Sequence, residues 1–186
     1  MNSAILGVAN QATHSSRLFE MIVPIYQMTK GMPLPFTYNA GTFTFANEET
    51  DDKGRVYYTL HTQDAQTGNK HGFHLSWWSA DMSLSLAFYI NGVCHGTNYE
   101  WNPAGQLIYQ SDYQNGRKNG WTYNFHNNGH PARITYFADG KRQGAEVEYE
   151  ENGLVKCINT YGPQEALVKI QTFAQGQLLY VDNYPA

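Results

Sequence analysis

Seven histidines, two cysteines and two clusters of carboxylates are the side chains of this 186-residue chain that could carry chemistry. His71 and His95 stand 24 residues apart, and Asn119 and Gln143 occupy the same position in the next two steps. This series indicates a polar position near a turn rather than a ligand set. Equivalent positions in neighbouring hairpins lie about 10 Å apart, two strand spacings, which is too far to share one metal ion.

The remaining histidines favour structural roles as well. His126 and His130 flank an Asn-Asn-Gly turn, where a loop function is expected, and His61 and His74 fall in strands without evident partners. No zinc spacing, calcium loop or phosphate-binding loop is present in the sequence. We therefore expect no metal ion and no cofactor.

Nucleophilic catalysis requires a serine or cysteine with a base and an orienting acid. The sequence has no GxSxG motif. Cys94 precedes His95 directly, but adjacent residues of an extended segment point to opposite faces. Cys157 falls on a different predicted strand. The sequence predicts a protein that is not an enzyme, and a deep pocket with converging polar groups would favour the enzyme alternative.

The carboxylates are open to two interpretations, solvated surface or docking patch. The segment NEETDD, residues 47–52, is predicted to be a loop, either merely soluble or a protruding acidic finger that enters a basic cleft. Its carboxylates are Glu48, Glu49, Asp51 and Asp52. A second group recurs at every other residue and is predicted to line one exposed face of a strand, where it could receive a basic partner. This group is Glu146, Glu148 and Glu150.

The elements that position these side chains repeat every 24 residues. The segments TGNKHG, NGVCHG, NGRKNG and DGKRQG begin at residues 67, 91, 115 and 139. Asn-Gly and Asp-Gly adopt positive φ at little cost, which suits the primed turns of tight hairpins. A second series of turns follows between them, at Gly105, Gly129 and Gly153. A fixed period of this kind predicts a repeat architecture in which each copy is strand, turn, strand, turn.

The strands between the turns alternate aromatic and polar residues, so stacked copies place their aromatic rings on one face of a sheet. The principal members of this aromatic stripe are Trp77, Trp101, Trp121, Tyr123 and Phe125. Two outcomes remain open. The sheet could curl and bury the stripe against itself and the N-terminal segment. Alternatively, part of the stripe could stay open as a protein-binding surface.

Composition and chain ends set further limits. Charged residues are 15% of the chain, aromatic residues 15%, and the net charge is −4, which favours neither nucleic acid nor an anionic membrane as partner. Two cysteines and the lack of a signal-peptide pattern predict a cytoplasmic protein. Residues 1–35 fall outside the repeat and are expected to form a cap with a short helix near residues 16–23. Residues 36–186 are expected to form one repeat domain.

The pattern YxNGxxxGxxYxxxxNG resembles the MORN-repeat variant of bacterial proteins. Residues that carry the resemblance are Tyr89, Gly92, Gly96, Tyr99, Tyr113, Gly116, Gly120, Tyr123, Phe137, Gly140, Gly144, Gly105, Gly129 and Gly153. Val147 departs from it, because the pattern has tyrosine there, and the fifth copy lacks the first pair of glycines. The resemblance implies an all-β fold, an elongated and twisted antiparallel β-meander of 24-residue MORN-like hairpins.

The same resemblance implies a function in binding protein. Many bacterial members look like antitoxins or immunity proteins encoded beside a toxin. We therefore expect a non-catalytic module that binds a cognate toxin and occludes its active site. A MORN-type scaffold or membrane-associated adaptor without a toxin partner is the alternative. An uncapped edge strand could also pair with a second copy of the chain.

Overall fold

The computed structural model describes residues 37–38, 43–64, 66–78 and 83–185, with side chains from residue 50 onward except that of Leu60. The predicted N-terminal cap, residues 1–35, and its helix near 16–23 lie outside the described residues. The chain divides into two compact units, Met1–Leu107 and Ile108–Ala186. The 24-residue period itself gives no sign of this division, because the sequence repeat continues through residue 107.

The first unit is built from antiparallel strands that pair in chain order, except that the two-residue strand Val93–Cys94 pairs with Leu84–Ile90 alone and the next strand, Gly96–Trp101, pairs with Leu84–Ile90 as well. Short connections make this arrangement natural, since a short turn returns the chain directly beside the strand that it has left. Its strands are β1 (Thr37–Tyr38), β2 (Phe43–Thr50), β3 (Val56–Gln63), β4 (Lys70–Trp78), β5 (Leu84–Ile90), β6 (Val93–Cys94) and β7 (Gly96–Trp101).

The second unit continues the same pattern and ends on a seven-residue strand. Its strands are β8 (Leu107–Gln114), β9 (Arg117–Phe125), β10 (Pro131–Ala138), β11 (Lys141–Arg142), β12 (Gly144–Tyr149), β13 (Val155–Tyr161), β14 (Leu167–Ala174) and β15 (Gln177–Asn183). A single turn of 3₁₀ helix, Pro163–Glu165, lies between β13 and β14. The described chain is thus nearly all β and forms an open antiparallel meander, which confirms the predicted fold class.

The predicted hairpin turns are present at the predicted glycines. The first residue of each pair adopts a left-handed φ of about 50°, and the glycine after it has a φ near 80°. Two successive positive φ values define the primed turn whose twist matches the flanking strands. The three repeat turns are Asn91-Gly92, Asn115-Gly116 and Asp139-Gly140. The asparagine or aspartate and the glycine that follows it therefore form the turn, as the sequence predicted.

The fifth copy replaces its missing glycines with a different turn. Gln164 and Glu165 both take positive φ inside the 3₁₀ turn. The Glu165 carboxylate accepts hydrogen bonds from the backbone N–H of Arg142 and from its Nε, at 3.1 and 3.2 Å. The backbone hydrogen bond from Arg142, followed by the side-chain hydrogen bond, holds the pKa of Glu165 below its usual value. Contact with the preceding hairpin thus supports a turn that its own sequence disfavours.

Large side chains on one face of the strands form the core. Strand register places Leu75 opposite Leu86, Leu86 opposite Tyr99, and Leu84 opposite Trp101. In the second unit, Tyr123 pairs with Ile134 in the same way. All of these residues are buried. The alternation of the strands therefore becomes an apolar face whose large side chains are buried at these positions.

Small hydroxyl side chains follow the opposite face. Ser76 and Ser85 lie 2.6 Å apart between β4 and β5, and Ser111 and Thr122 lie 2.6 Å apart between β8 and β9. The last two, like Thr135 on β10, are fully or almost fully buried. Their pairing satisfies polar groups that burial would otherwise penalise.

Among the described residues, no helix is long and apolar enough to span a bilayer.

Candidate functional site

Most of the predicted aromatic stripe is not available as a binding surface. Trp77, Trp101, Tyr123 and Phe125 are all buried, and Trp101 has no exposed surface at all. Of the two outcomes that the sequence left open for the stripe, burial is the one observed for these four rings. Each packs against an aromatic ring of its own unit. Trp77 stacks on Tyr58, Trp101 on Tyr99, and Tyr123 on Phe125, at centroid distances of 5.8, 5.7 and 6.3 Å. Aromatic rings on the apolar face of a half-buried sheet bury a large area, so they usually belong to the core.

Trp121 is the exception among the predicted aromatic residues. It is 44% exposed and meets Tyr136 edge-on, with ring centroids 5.1 Å apart. Both residues lie on the same face as Tyr123, but further along their strands, where the burial of that face ends. Of the five stripe residues named from the sequence, Trp121 is therefore the one that stays exposed, and it does so in contact with Tyr136.

The acidic segment 47–52 is largely strand and turn rather than a free loop. Residues 47–50 belong to β2, which ends at Thr50 and carries a register shift between Ala46 and Glu49. This corrects the predicted loop, because the alternating segment before it extends the strand. The side chains of Glu48 and Glu49 lie outside the described set. Asp52 is exposed at the turn.

Asp51 supports the turn rather than facing a partner. Its Oδ1 accepts hydrogen bonds from the backbone N–H of Lys53 and Arg55, and its Oδ2 pairs with the Arg55 guanidinium at 2.7 Å. Desolvation alone would raise the pKa of this carboxyl. The hydrogen bonds from Arg55 and Lys53 outweigh it and hold the pKa below its usual value. The charge of Asp51 thus stabilises the turn itself.

The predicted exposed face of Glu146, Glu148 and Glu150 exists only in part. Glu146 is 6% exposed and accepts hydrogen bonds from Thr135 Oγ1 at 2.9 Å, and from Asn159 Nδ2 and Tyr161 Oη at 3.3 Å. It lies in the row of small hydroxyl side chains, which explains its burial. The prediction of an exposed position is wrong for Glu146.

The other two carboxylates of this group differ from each other. Glu148 is half-buried and pairs with Arg133 across the strands, at 2.7 Å between Oε1 and Nη2. Glu150 is exposed and lies just beyond the end of β12, where its backbone opens the turn to β13. Glu150 is therefore the member of the group with a carboxylate displayed to solvent.

Glu150 lies on the rim of an open groove in the second unit. The groove has a volume of about 560 Å³ and lies between the turn that joins β12 to β13 and the turn that joins β14 to β15. Its lining residues are Glu150, Glu151, Asn152, Leu154, Val155, Phe173, Ala174 and Gln175. The groove thus combines an apolar floor with two neighbouring carboxylates.

The acidic side of the groove is held in place by the preceding repeat. The backbone oxygen of Glu151 accepts hydrogen bonds from Asn128 Nδ2 and from a ring nitrogen of His130, each at 2.7 Å. His126 Nε2 lies 3.0 Å from the backbone oxygen of Tyr149. These contacts give His126 and His130 a loop role, as the sequence predicted. They also fix the backbone that carries the two carboxylates.

Other side chains that could bind a metal or act as nucleophiles form contacts with neighbouring residues of the sheet. His71 Nδ1 lies 3.2 Å from Asn91 Oδ1, and Asn98 Nδ2 donates to the sulfur of Cys94. Cys157 is half-buried, and burial, with the nearby Glu148 charge, raises the pKa of its thiol. A raised pKa disfavours the thiolate that nucleophilic chemistry needs. Within the described ranges, no three His, Cys, Asp or Glu side chains come together as a metal site.

Sequence reasoning missed the apolar part of the groove, although a signal was present. Leu154 follows Gly153, where the equivalent turns carry Gln106 and His130. An apolar residue at a polar turn position is unusual and could have indicated an interaction surface. Phe173 gave no such signal, because its exposure depends on the hairpin beside it.

No family model matches the chain, and no curated protein matches it. The resemblance to the bacterial MORN-repeat variant therefore remains a prediction that rests on the glycine and tyrosine pattern, and so does every function that it implies.

Proposed function

We propose that this chain is a non-catalytic protein-binding module, and that it acts as an antitoxin or immunity protein. In this proposal it neutralises a cognate toxin by direct binding and occlusion of the toxin's active site. The observation that carries the proposal is the acid-rimmed apolar groove at Glu150, Glu151, Leu154 and Phe173. The toxin identity in this proposal comes from the family resemblance alone.

The chemistry of the groove suits a basic segment of a protein. Leu154 is 41% exposed at its floor, so an apolar side chain seated there would gain burial on binding. The carboxylates of Glu150 and Glu151 stand beside it and are exposed. Toxins that act on nucleic acids or nucleotides need positively charged clefts, and complementary charge accelerates encounter and selects the partner. A basic rim with one apolar anchor is therefore the partner surface that this groove fits.

Burial of the aromatic stripe supports placing the site at the groove. A partner that used Trp101 or Tyr123 would first have to expose rings that are closed to solvent, at a loss of roughly 1.5–3 kcal/mol for each large apolar side chain. No such opening is needed at Leu154. The groove also rests on a turn fixed by His130 and Asn128, which limits the loss of conformational freedom on binding.

Capture of the neighbouring gene's product, followed by growth rescue, tests this function. The full chain is used as bait, and the captured product is then expressed alone or with the chain. We expect direct binding in purified form and restored growth when the two are expressed together. Leu154→Lys should reduce both, because it places a cation among basic groups of the partner.

Two controls separate loss of binding from loss of folding. Thermal unfolding of Leu154→Lys should match the wild type, because the replaced side chain is substantially exposed. Val93→Lys changes an exposed apolar residue of the first unit in the same way and should leave binding intact. Failure of the wild-type chain to bind and to rescue growth would overturn the antitoxin proposal. Binding without any toxicity of the partner would favour the adaptor alternative.

A further inference from the structure

The last strand of the second unit, β15, is exposed along its whole length. All seven residues of Gln177–Asn183 are exposed, and they include an uninterrupted run of four large apolar side chains. The members of this run are Leu178, Leu179, Tyr180 and Val181, and Leu179 is 61% exposed. Within the described residues, β15 pairs with β14 alone. Its other side is therefore the edge of the sheet.

The hydrogen bonds to β14 show which backbone groups face outward. The Tyr184 N–H donates to the backbone oxygen of Val168 at 2.9 Å, and the register pairs Ile170 with Asp182. In antiparallel strands, successive residues direct their N–H and C=O groups alternately to the two sides. Val181 and Asn183 therefore direct both groups away from β14, toward the edge.

One device that protects edge strands is present in β15, a register shift opposite Thr172 and Phe173 that leaves Leu179 as an extra residue, and the others are few. Proteins commonly block such edges with lysine, proline, inward charges or very short strands. The strand β15 contains neither lysine nor proline, and Asp182 is its one charged residue. By contrast, β1, the outermost strand of the first unit within the described ranges, has two residues there. The long apolar edge of β15 is thus the one suited to pairing with another strand.

We infer that β15 pairs in antiparallel fashion with β15 of a second copy of this chain, so that the protein forms a two-fold symmetric dimer. A register centred on Val181 places Asp182 opposite a tyrosine of the second copy, so the two carboxylates do not face each other. Each copy then buries apolar side chains on both faces of its edge. In such a two-fold contact, both copies contribute the same strand, so the assembly ends at the dimer. Pairing β15 of one copy with the two described residues of β1 in another would instead form a short ladder and would leave free strands to which further molecules could add.

This inference is independent of the proposed toxin binding, and the mass of the full chain in solution tests it. Sedimentation equilibrium over a range of concentrations should show a monomer–dimer equilibrium. Val181→Pro removes an outward N–H without touching the ladder to β14, and proline is tolerated at such edge positions. Because a symmetric dimer loses the hydrogen bond in both copies, we expect dimer dissociation constants to rise at least about tenfold.

A second pair of variants keeps the test decisive if Val181→Pro does not fold. Leu179→Lys should also weaken the dimer, because it replaces an exposed apolar side chain of the edge with a charged one, and lysine is a side chain with which proteins block strand pairing. Leu154→Lys makes the same change at an exposed leucine in the groove and should leave the dimer intact, although it weakens toxin binding. A wild-type monomer at all concentrations, an open series of larger assemblies, or equal dimerisation of Leu179→Lys and the wild type would overturn the inference.

Discussion

Thr135 donates a hydrogen bond of 2.9 Å from its Oγ1 to Oε2 of Glu146, and both side chains are almost fully buried. Asn159 and Tyr161 donate to the other carboxylate oxygen at 3.3 Å. A carboxylate removed from water needs donors of this kind, because burial otherwise strongly disfavours its charge. Glu146 is therefore part of the polar interior of the second unit rather than a contact for a partner.

Removing this carboxylate should destabilise the fold. Glu146→Ala leaves the donors of Thr135, Asn159 and Tyr161 without their acceptor, so we expect a loss of about 2–3 kcal/mol in the free energy of unfolding. Urea denaturation measures this loss. Glu150→Ala is the matched control at an exposed glutamate and should stay within about 0.5 kcal/mol of the wild type. Equal effects of the two variants would contradict the buried role of Glu146.

The second glycine of a repeat should be less replaceable than the turn glycine between repeats. Gly120 has a φ of +126°, and an added Cβ would lie 2.9 Å from Cβ and Oδ2 of Asp112. Gly129 has a φ of +83° and open space around the same position. We expect Gly129→Ala to destabilise by about 1–2 kcal/mol through backbone strain. Gly120→Ala should destabilise more, because a steric overlap adds to the strain. Thermal unfolding would contradict this account if Gly129→Ala had the larger effect.

Acid should weaken the turn that contains Asp51. Its folded-state pKa lies below the reference value of 3.8, so its contribution is complete above about pH 4 and is lost as the pH falls through the folded pKa. Asp51→Asn keeps an acceptor but has no charge to titrate. Melting temperatures measured from pH 7 to pH 2 should therefore fall more steeply below pH 4 for the wild type than for Asp51→Asn. Parallel curves would show that the charge of Asp51 does not support the turn.

The ion pair between Arg117 and Asp139 should matter less than the turn conformation of Asp139. Both side chains are well exposed, and an exposed pair contributes at most about 1 kcal/mol. Asp139 also has a φ of +49°, which asparagine tolerates and alanine does not. We expect Asp139→Asn to change the free energy of unfolding by less than about 0.5 kcal/mol. Asp139→Ala should lose roughly 1 kcal/mol more. Equal losses in urea denaturation would assign the effect to the ion pair.

Local rules predicted much of the fold and little of the site. Asn115-Gly116 could be read as a primed turn because that conformation depends on the two residues themselves. Glu146 could not be read correctly, because a strand alternates in the same way whether its polar face is open or covered. Its burial depends on Thr135 and Asn159, which neighbouring strands bring to it. Leu154 and Phe173 likewise meet only after two separate turns are placed side by side.

Binding affinity measured after a single charge reversal tests the central claim most directly. The neighbouring gene's product, once captured, is titrated calorimetrically with the wild type, with Glu150→Lys and with Asp52→Lys. Both variants change the net charge equally, and both sites are exposed. We predict that Glu150→Lys weakens binding at least about tenfold, or about 1.4 kcal/mol, whereas Asp52→Lys changes it little. A larger effect of Asp52→Lys, or no effect of Glu150→Lys, would contradict the groove as the binding site.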